Sequence, residues 1–187
     1  VASCLTISNS TANWQYVGDG GGVYGGTVSN CTLVGNTAGV GGAAAGFGRL
    51  WNCTLANNLA GSGGGASQVA LYDCMVSNNT VVYSGLPSSG GGGVSQCLAY
   101  NCLITGNRDG NLSRGGGSAL GTNFDCTIAG NFANNGGGTY QSTNFNCILS
   151  GNAASTDGGG AYQGLLYNCL VTGNLATNTT AFYGYGA

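Results

Sequence analysis

The chain has 187 residues, of which three are Lys or Arg and five are Asp or Glu, and it contains no His. General acid–base catalysis usually draws on histidine or paired carboxylates, so its reagents are scarce here, and a net charge of −2 without a basic stripe excludes a phosphate-backbone footprint and hence nucleic acid as a partner. No apolar run approaches the ~18 residues of a membrane span, so no membrane insertion is expected.

The chain opens on VASCLTISNS, which carries neither an initiator Met nor the basic and apolar regions of a signal peptide. The expectation is a processed mature protein or a window of a longer one. From there one unit repeats: Cys4, Cys31, Cys53, Cys74, Cys102, Cys126, Cys147 and Cys169 are each followed five positions later by Asn9, Asn36, Asn58, Asn79, Asn107, Asn131, Asn152 or Asn174. Intervals of 21 to 28 residues kept through eight copies predict one continuous solenoid over residues 1–187. The 39 glycines would read as disorder by composition, but they fall in register with aliphatic and aromatic residues and so argue for order.

Within each unit a strand is predicted around the cysteine. An aliphatic residue stands two places after it (Leu33, Leu55, Val76, Ile104, Ile128, Leu149, Val171), and both positions should face the core. Two places before it stands an aromatic in six coils: Trp51, Tyr72, Tyr100, Phe124, Phe145 and Tyr167. Period-2 counting leans towards placing these rings inward. The alternative is a corner at the Asn or Asp just before the cysteine, which would turn Leu50, Leu71 and Leu166 in and the rings out. The asparagine after each strand reads as a turn ladder, because Asn tolerates a left-handed corner and its amide can bond to the same Asn one rung away. The glycine runs mark another corner, where positive φ or close backbone approach excludes a Cβ.

The blocks GGGVYGGTVSNCTLVGN, GGGASQVALYDCMVSNN, GGGTYQSTNFNCILSGN and GGGAYQGLLYNCLVTGN, with NCTLVGNTAGVGG and NCTLANNLAGSGGG, resemble right-handed parallel β-helix repeats of the pectin-lyase-like type. The likeness is greatest to bacterial surface and secreted proteins with tandem NCTLxGNxA...GGG repeats, and it covers essentially the whole chain. It implies an all-β fold, a single right-handed parallel β-helix of about eight coils. It does not specify activity, since that architecture hosts lyases, adhesins and inert stalks alike.

Pectin-active β-helices, as the resemblance implies, use clustered Asp residues, often calcium, and a basic residue. Here Asp73 and Asp125 occupy equivalent positions two rungs apart with Asn101 between, and no Arg matches them, so the chain is read as no enzyme. Asp19, Asp109 and Asp157 fall in turns or loops, where Asp is common for conformational reasons. Zinc needs four convergent ligands, whereas this spacing draws thiols into a line, and parallel in-register strands hold Cβ vectors side by side, which disfavours disulfides. The reading is a mostly reduced, buried ladder, with Cys97 outside it, and no metal or cofactor.

Three insertions follow ladder asparagines: Ser10 to Asp19 with Trp14 and Tyr16, Thr80 to Gly90 with Tyr83 and Pro87, and Arg108 to Arg114 with Asp109. All leave one corner, so they form a candidate lateral patch for glycan or a neighbouring filament. Joining Ala187 to Val1 of a second copy gives a cysteine interval of 22, within the range of the others. Val1, Ala2, Ser3, Cys4, Leu5, Phe182, Tyr183, Tyr185 and Ala187 are therefore the candidate end-to-end interface. The expected function is an extracellular structural protein that polymerises head to tail, self being its partner, at ~4.8 Å per rung or ~38 Å per copy. The alternative is a stalk or adhesive segment of a larger cell-surface protein. Ice binding is disfavoured by the irregular outward column Leu5, Thr32, Thr54, Met75, Leu103, Thr127, Ile148, Leu170.

Overall fold

Four left-handed residues per coil bend this chain into a closed cross-section. They are resolved in a computed structural model that describes residues 6–12, 18–82, 90–110 and 114–177. The residue before each ladder cysteine (Asn30, Asn52, Asp73, Asn101, Asp125, Asn146, Asn168) has φ of 48 to 54°. The residue before each ladder asparagine has φ of 54 to 67° and is Gly35, Asn57, Asn78, Gly106, Gly130, Gly151 or Gly173 in successive coils. A third corner falls within each glycine run, on Gly20, Gly42, Gly63, Gly91, Gly115, Gly136 and Gly158, with φ of 54 to 84°, and a fourth on Phe47, Gln68, Gln96, Leu120, Gln141 and Gln163, with φ of 46 to 57°. Asn and Asp reach this region at modest cost, while Phe47 and Leu120 are held there by the strands on either side.

Between the corners run short strands, all parallel and in register apart from one shift between Ala133 and Asn135, and every regular element among the described residues is a strand. The first sheet stacks eight three-residue strands, from Thr6–Ser8 and Thr32–Val34 to Ile148–Ser150 and Leu170–Thr172. The second stacks six, from Leu59–Ala60 to Leu175–Ala176. The third stacks twelve, from Val23–Tyr24 and Thr27–Ser29 to Ala161–Tyr162 and Leu165–Tyr167, and the fourth corner creases it lengthwise. The protein is thus an all-β parallel solenoid of stacked coils.

Register places like residues on like. Leu33, Leu55, Val76, Ile104, Ile128 and Leu149 pair in turn and are wholly buried. Burial of each such side chain contributes roughly 1.5–3 kcal/mol. Opposite them stand Leu50, Leu71, Ala99, Asn123 and Asn144, also buried. The rings beside these face outward, which corrects the inward lean. The left-handed residue before each cysteine breaks the period-2 alternation, so the cysteine and the residue three places before it share the interior while the aromatic between them turns to solvent.

Asn9 also needs correcting. Thr6 pairs with Thr32 and Ser8 with Val34, so Asn9 falls opposite Gly35 and, like it, has a positive φ, 54° against 67°. Ser10 occupies the ladder place instead and donates its backbone N–H to Asn36 Oδ1. The first coil is offset by one residue relative to cysteine counting. In the other coils the positive φ belongs to the residue before the asparagine, which leaves the asparagine free to serve as the ladder.

Candidate functional site

Inside the solenoid, asparagines form an amide column. Asn36, Asn58, Asn79, Asn107, Asn131 and Asn152 are 0–1% exposed. Each Nδ2 donates to the next coil's Oδ1 at 2.9–3.1 Å, and that same oxygen accepts the backbone N–H of the donor residue at 2.9–3.0 Å. The second amide proton goes to a carbonyl of the preceding coil, such as Leu55 for Asn79 and Val76 for Asn107. The last glycine of each run of three or four lies against this column: a Cβ on Gly138 would stand 3.0 Å from Asn152 Nδ2 and 2.3 Å from Gly160 O.

The thiol column has its own bonding. Each Sγ donates to the carbonyl two residues earlier, at 3.1 Å for Cys31 and 3.2 Å for Cys102. The sulfurs of Cys102, Cys126, Cys147 and Cys169 also accept the amide of the preceding coil's cysteine, as Cys102 Sγ does from Cys74 N at 3.5 Å. The corner amide has no strand partner, so the thiol completes it. All eight described cysteines are free thiols. A hydrogen bond with Cys102, together with burial, pushes the Cys74 thiol up to about 11. Cys97 belongs to a parallel column at the fourth corner. There its Sγ accepts from Val69 N, while two coils later Ser142 Oγ does the same for Gly121 N. Burial pushes the Cys97 thiol up to about 12. Its sequence signal is a Gln in the corner place at Gln68, Gln96, Gln141 and Gln163, two of which precede Cys97 and Ser142 directly.

On the outside, Trp51, Tyr72, Tyr100, Phe124, Phe145 and Tyr167 form one stack, with ring centroids 3.7 to 5.1 Å apart and planes within 10°. Interior rings give their faces to each other and present their edges outward. Alongside lies an exposed amide–carboxylate ladder, in which Asn101 donates to Asp73 at 2.7 Å and Asn146 to Asp125 at 3.1 Å. Met75, Leu103 and Ile148 flank it across the corner, each about two-fifths exposed. Sequence counting missed this stripe because it had the rings turned inward.

Of the lateral patch, Trp14, Tyr16, Tyr83 and Pro87 lie outside the described residues. Arg108 is exposed, its guanidinium 4.6 Å from the Phe132 ring centre, and Arg114 lies 5.5 Å from that of Tyr140. Asp109 is not a surface residue: it is 1% exposed and its Oδ2 accepts the Arg114 backbone N–H at 3.0 Å, closing the base of the insertion. Asp19 likewise accepts from Gly41 N at 2.8 Å. Of the end-to-end candidates, Val1, Ala2, Ser3, Cys4, Leu5, Phe182, Tyr183, Tyr185 and Ala187 all lie outside the described residues. The last described coil leaves its inward column open, with Leu166 40% and Val171 46% exposed against 1% or less for Leu50, Leu71 and Leu149. Compared with protein-family models, curated proteins and solved structures, the chain matches none.

Proposed function

We propose that this chain is a non-catalytic structural protein of the extracellular space that associates end to end, coil on coil, into a filament or sheath. The observation that carries this is the repetition of identical columns from coil to coil, amide on amide and aliphatic on aliphatic, which makes an outermost rung able to receive another. Such a rung accepts one more coil of the same kind, because side-chain columns and strand edges continue in the same register. The reading takes the solenoid to be right-handed and pectin-lyase-like, which the NCTLVGN wording and the strong right-handed preference of parallel crossovers support. Scarce charge and Asn, Ser, Thr and Gly richness support an extracellular setting.

Electron microscopy of the native material tests the proposal. The expected result is continuous fibres, and Val171→Asp should disperse them, since stacking would bury an unpaired carboxylate at a cost of several kcal/mol. Protein that stays monomeric at high concentration overturns the reading, as does a Val171→Asp variant that assembles like the parent. The second reading, a stalk or adhesive segment of a larger cell-surface protein, is favoured by three insertions leaving one corner. In that case the next coil comes from the same polypeptide, and glycan or a neighbouring filament meets the loops.

A further inference from the structure

The cysteine column is more than core filling, because its sulfurs repeat with the coils. Cys31, Cys53, Cys74, Cys102, Cys126, Cys147 and Cys169 each place Sγ 3.1–3.3 Å from the carbonyl oxygen two residues earlier. Four of these sulfurs, from Cys102 to Cys169, also lie 3.4–3.5 Å from the amide nitrogen of the preceding coil's cysteine. Identical contacts in successive coils mean that neighbouring sulfurs are separated by one rung. That step is ~4.8 Å for parallel strands, and the outward rings beside them repeat at 4.8–5.1 Å between Tyr72 and Tyr167.

This spacing discriminates between the reactions open to thiols. A disulfide needs sulfurs ~2.05 Å apart, so neighbours one rung away cannot join without breaking the register. Tetrahedral zinc needs four convergent ligands, and among the described residues no group of three or more His, Cys, Asp or Glu side chains converges to hold a metal. Two-coordinate ligation needs only two sulfurs on opposite sides of one ion. A metal–thiolate bond of about 2.3 Å on each side spans roughly 4.6 Å, close to one rung. Thiolate sulfur is the ligand that selects Cu(I).

We infer that adjacent rungs of the cysteine column form linear two-thiolate sites for Cu(I), one ion to every two neighbouring sulfurs. Each ion displaces two thiol protons to solvent and forms two S–Cu bonds, with no change of oxidation state. The pair then carries one negative charge, and the corner amides already aimed at the sulfurs, such as Cys74 N at Cys102 Sγ, donate to it. A sulfur serves one ion at a time, so the contiguous run Cys102, Cys126, Cys147, Cys169 holds two. Cys31 and Cys169 are half-buried whereas the thiols between them are buried, so ions enter from the column's ends and loading is slow.

Two variants with equal numbers of thiols separate geometry from composition. C4S/C31S/C53S/C74S leaves four ladder thiols contiguous, whereas C4S/C53S/C102S/C147S leaves four with no neighbours. Both are titrated anaerobically with Cu(I) against bicinchoninate, with far-UV circular dichroism to establish folding and native mass spectrometry to count ions. The contiguous variant should withdraw two ions per chain from the chelator and the alternating variant none. Equal uptake by both, or no uptake by the folded parent protein, overturns the inference. If either variant fails to fold, X-ray absorption of the copper-loaded parent decides. Two sulfur neighbours support the linear site, and three or more donors overturn it.

Discussion

Replacing Asn107 with Ala removes one link from the buried amide column, and the cost can be worked from its bonds. Asn107 Oδ1 accepts both the backbone N–H and Nδ2–H of Asn79, each at 3.0 Å. Its Nδ2 donates to Val76 O at 2.9 Å and to Asn131 Oδ1 at 3.0 Å. The substitution leaves the Asn79 amide and one Asn79 side-chain proton without partners, and the Val76 carbonyl loses the Asn107 donor. A buried polar group stripped of its partner costs about 1–3 kcal/mol, so the loss for two is roughly 2–6 kcal/mol. That is a large share of the ~5–15 kcal/mol typical of a domain. Asn101→Gly is the control: it deletes an exposed 2.7 Å bond to Asp73 but keeps the left-handed φ of 51°, so the loss is within about 0.5 kcal/mol. Guanidinium denaturation followed by far-UV circular dichroism measures both. The reasoning fails if Asn107→Ala is no more destabilised than Asn101→Gly.

Cys102→Ser keeps a donor and an acceptor at the corner, as Ser142 does at the fourth corner, so it should cost less than Cys102→Ala, which orphans the Cys74 amide; thermal melts that rank the two the other way would refute the bonding role. Gly138→Ala puts a methyl 2.3 Å from Gly160 O and forces the backbone apart, at about 1–3 kcal/mol in the same melts. An unchanged midpoint there would mean that the glycine run is not set by close approach. Cys97 carries the pH prediction. Its folded value, pushed up to about 12, exceeds the ~8.5 of an unfolded thiol, so above that point the native state holds a proton that the unfolded chain has lost. Its contribution is fully present below ~8.5 and falls by up to about 1.4 kcal/mol per pH unit as pH rises towards the folded value. Cys97→Ser should therefore lose stability less steeply than the parent across that alkaline range, and parallel slopes would refute the assignment.

Much of this architecture could be read in the sequence because a solenoid writes its period into the chain. The Cys-to-Asn spacing of five carried the first sheet, and the aliphatic residue between them carried its inward column. The misreadings share one cause. Period-2 counting holds only while the backbone stays extended, and a single left-handed residue resets it. Asn52 or Asp73 before the cysteine was the visible sign of that reset, and taking it as a corner would have turned Trp51 and Tyr72 outward. Cys97 seemed the odd thiol because its corner is marked by Gln96, a residue with no strong turn preference. Asn9 was misplaced because the first corner falls five residues after its cysteine instead of four, which only strand pairing reveals.

Each internal column closes its bonding between neighbouring coils: amide to amide, thiol to amide, and strand edge to strand edge. A coil is therefore stabilised by the coil on either side of it, and little depends on which polypeptide supplies that coil. At the open rung the exposed apolar side chains are Leu165, Leu166, Tyr167, Leu170, Val171 and Leu175. Covering the two that point inward, Leu166 and Val171, contributes about 1.5–3 kcal/mol each. The strand-edge hydrogen bonds of one added coil contribute roughly 0.5–1.5 kcal/mol apiece. Association costs on the order of 4–15 kcal/mol in lost freedom, so a single rung meeting a single rung is close to balanced. Such a junction becomes firm only when ordered ends meet in register, and that requirement is why the proposed assembly is expected to depend steeply on protein concentration and to fail on one buried charge at Val171.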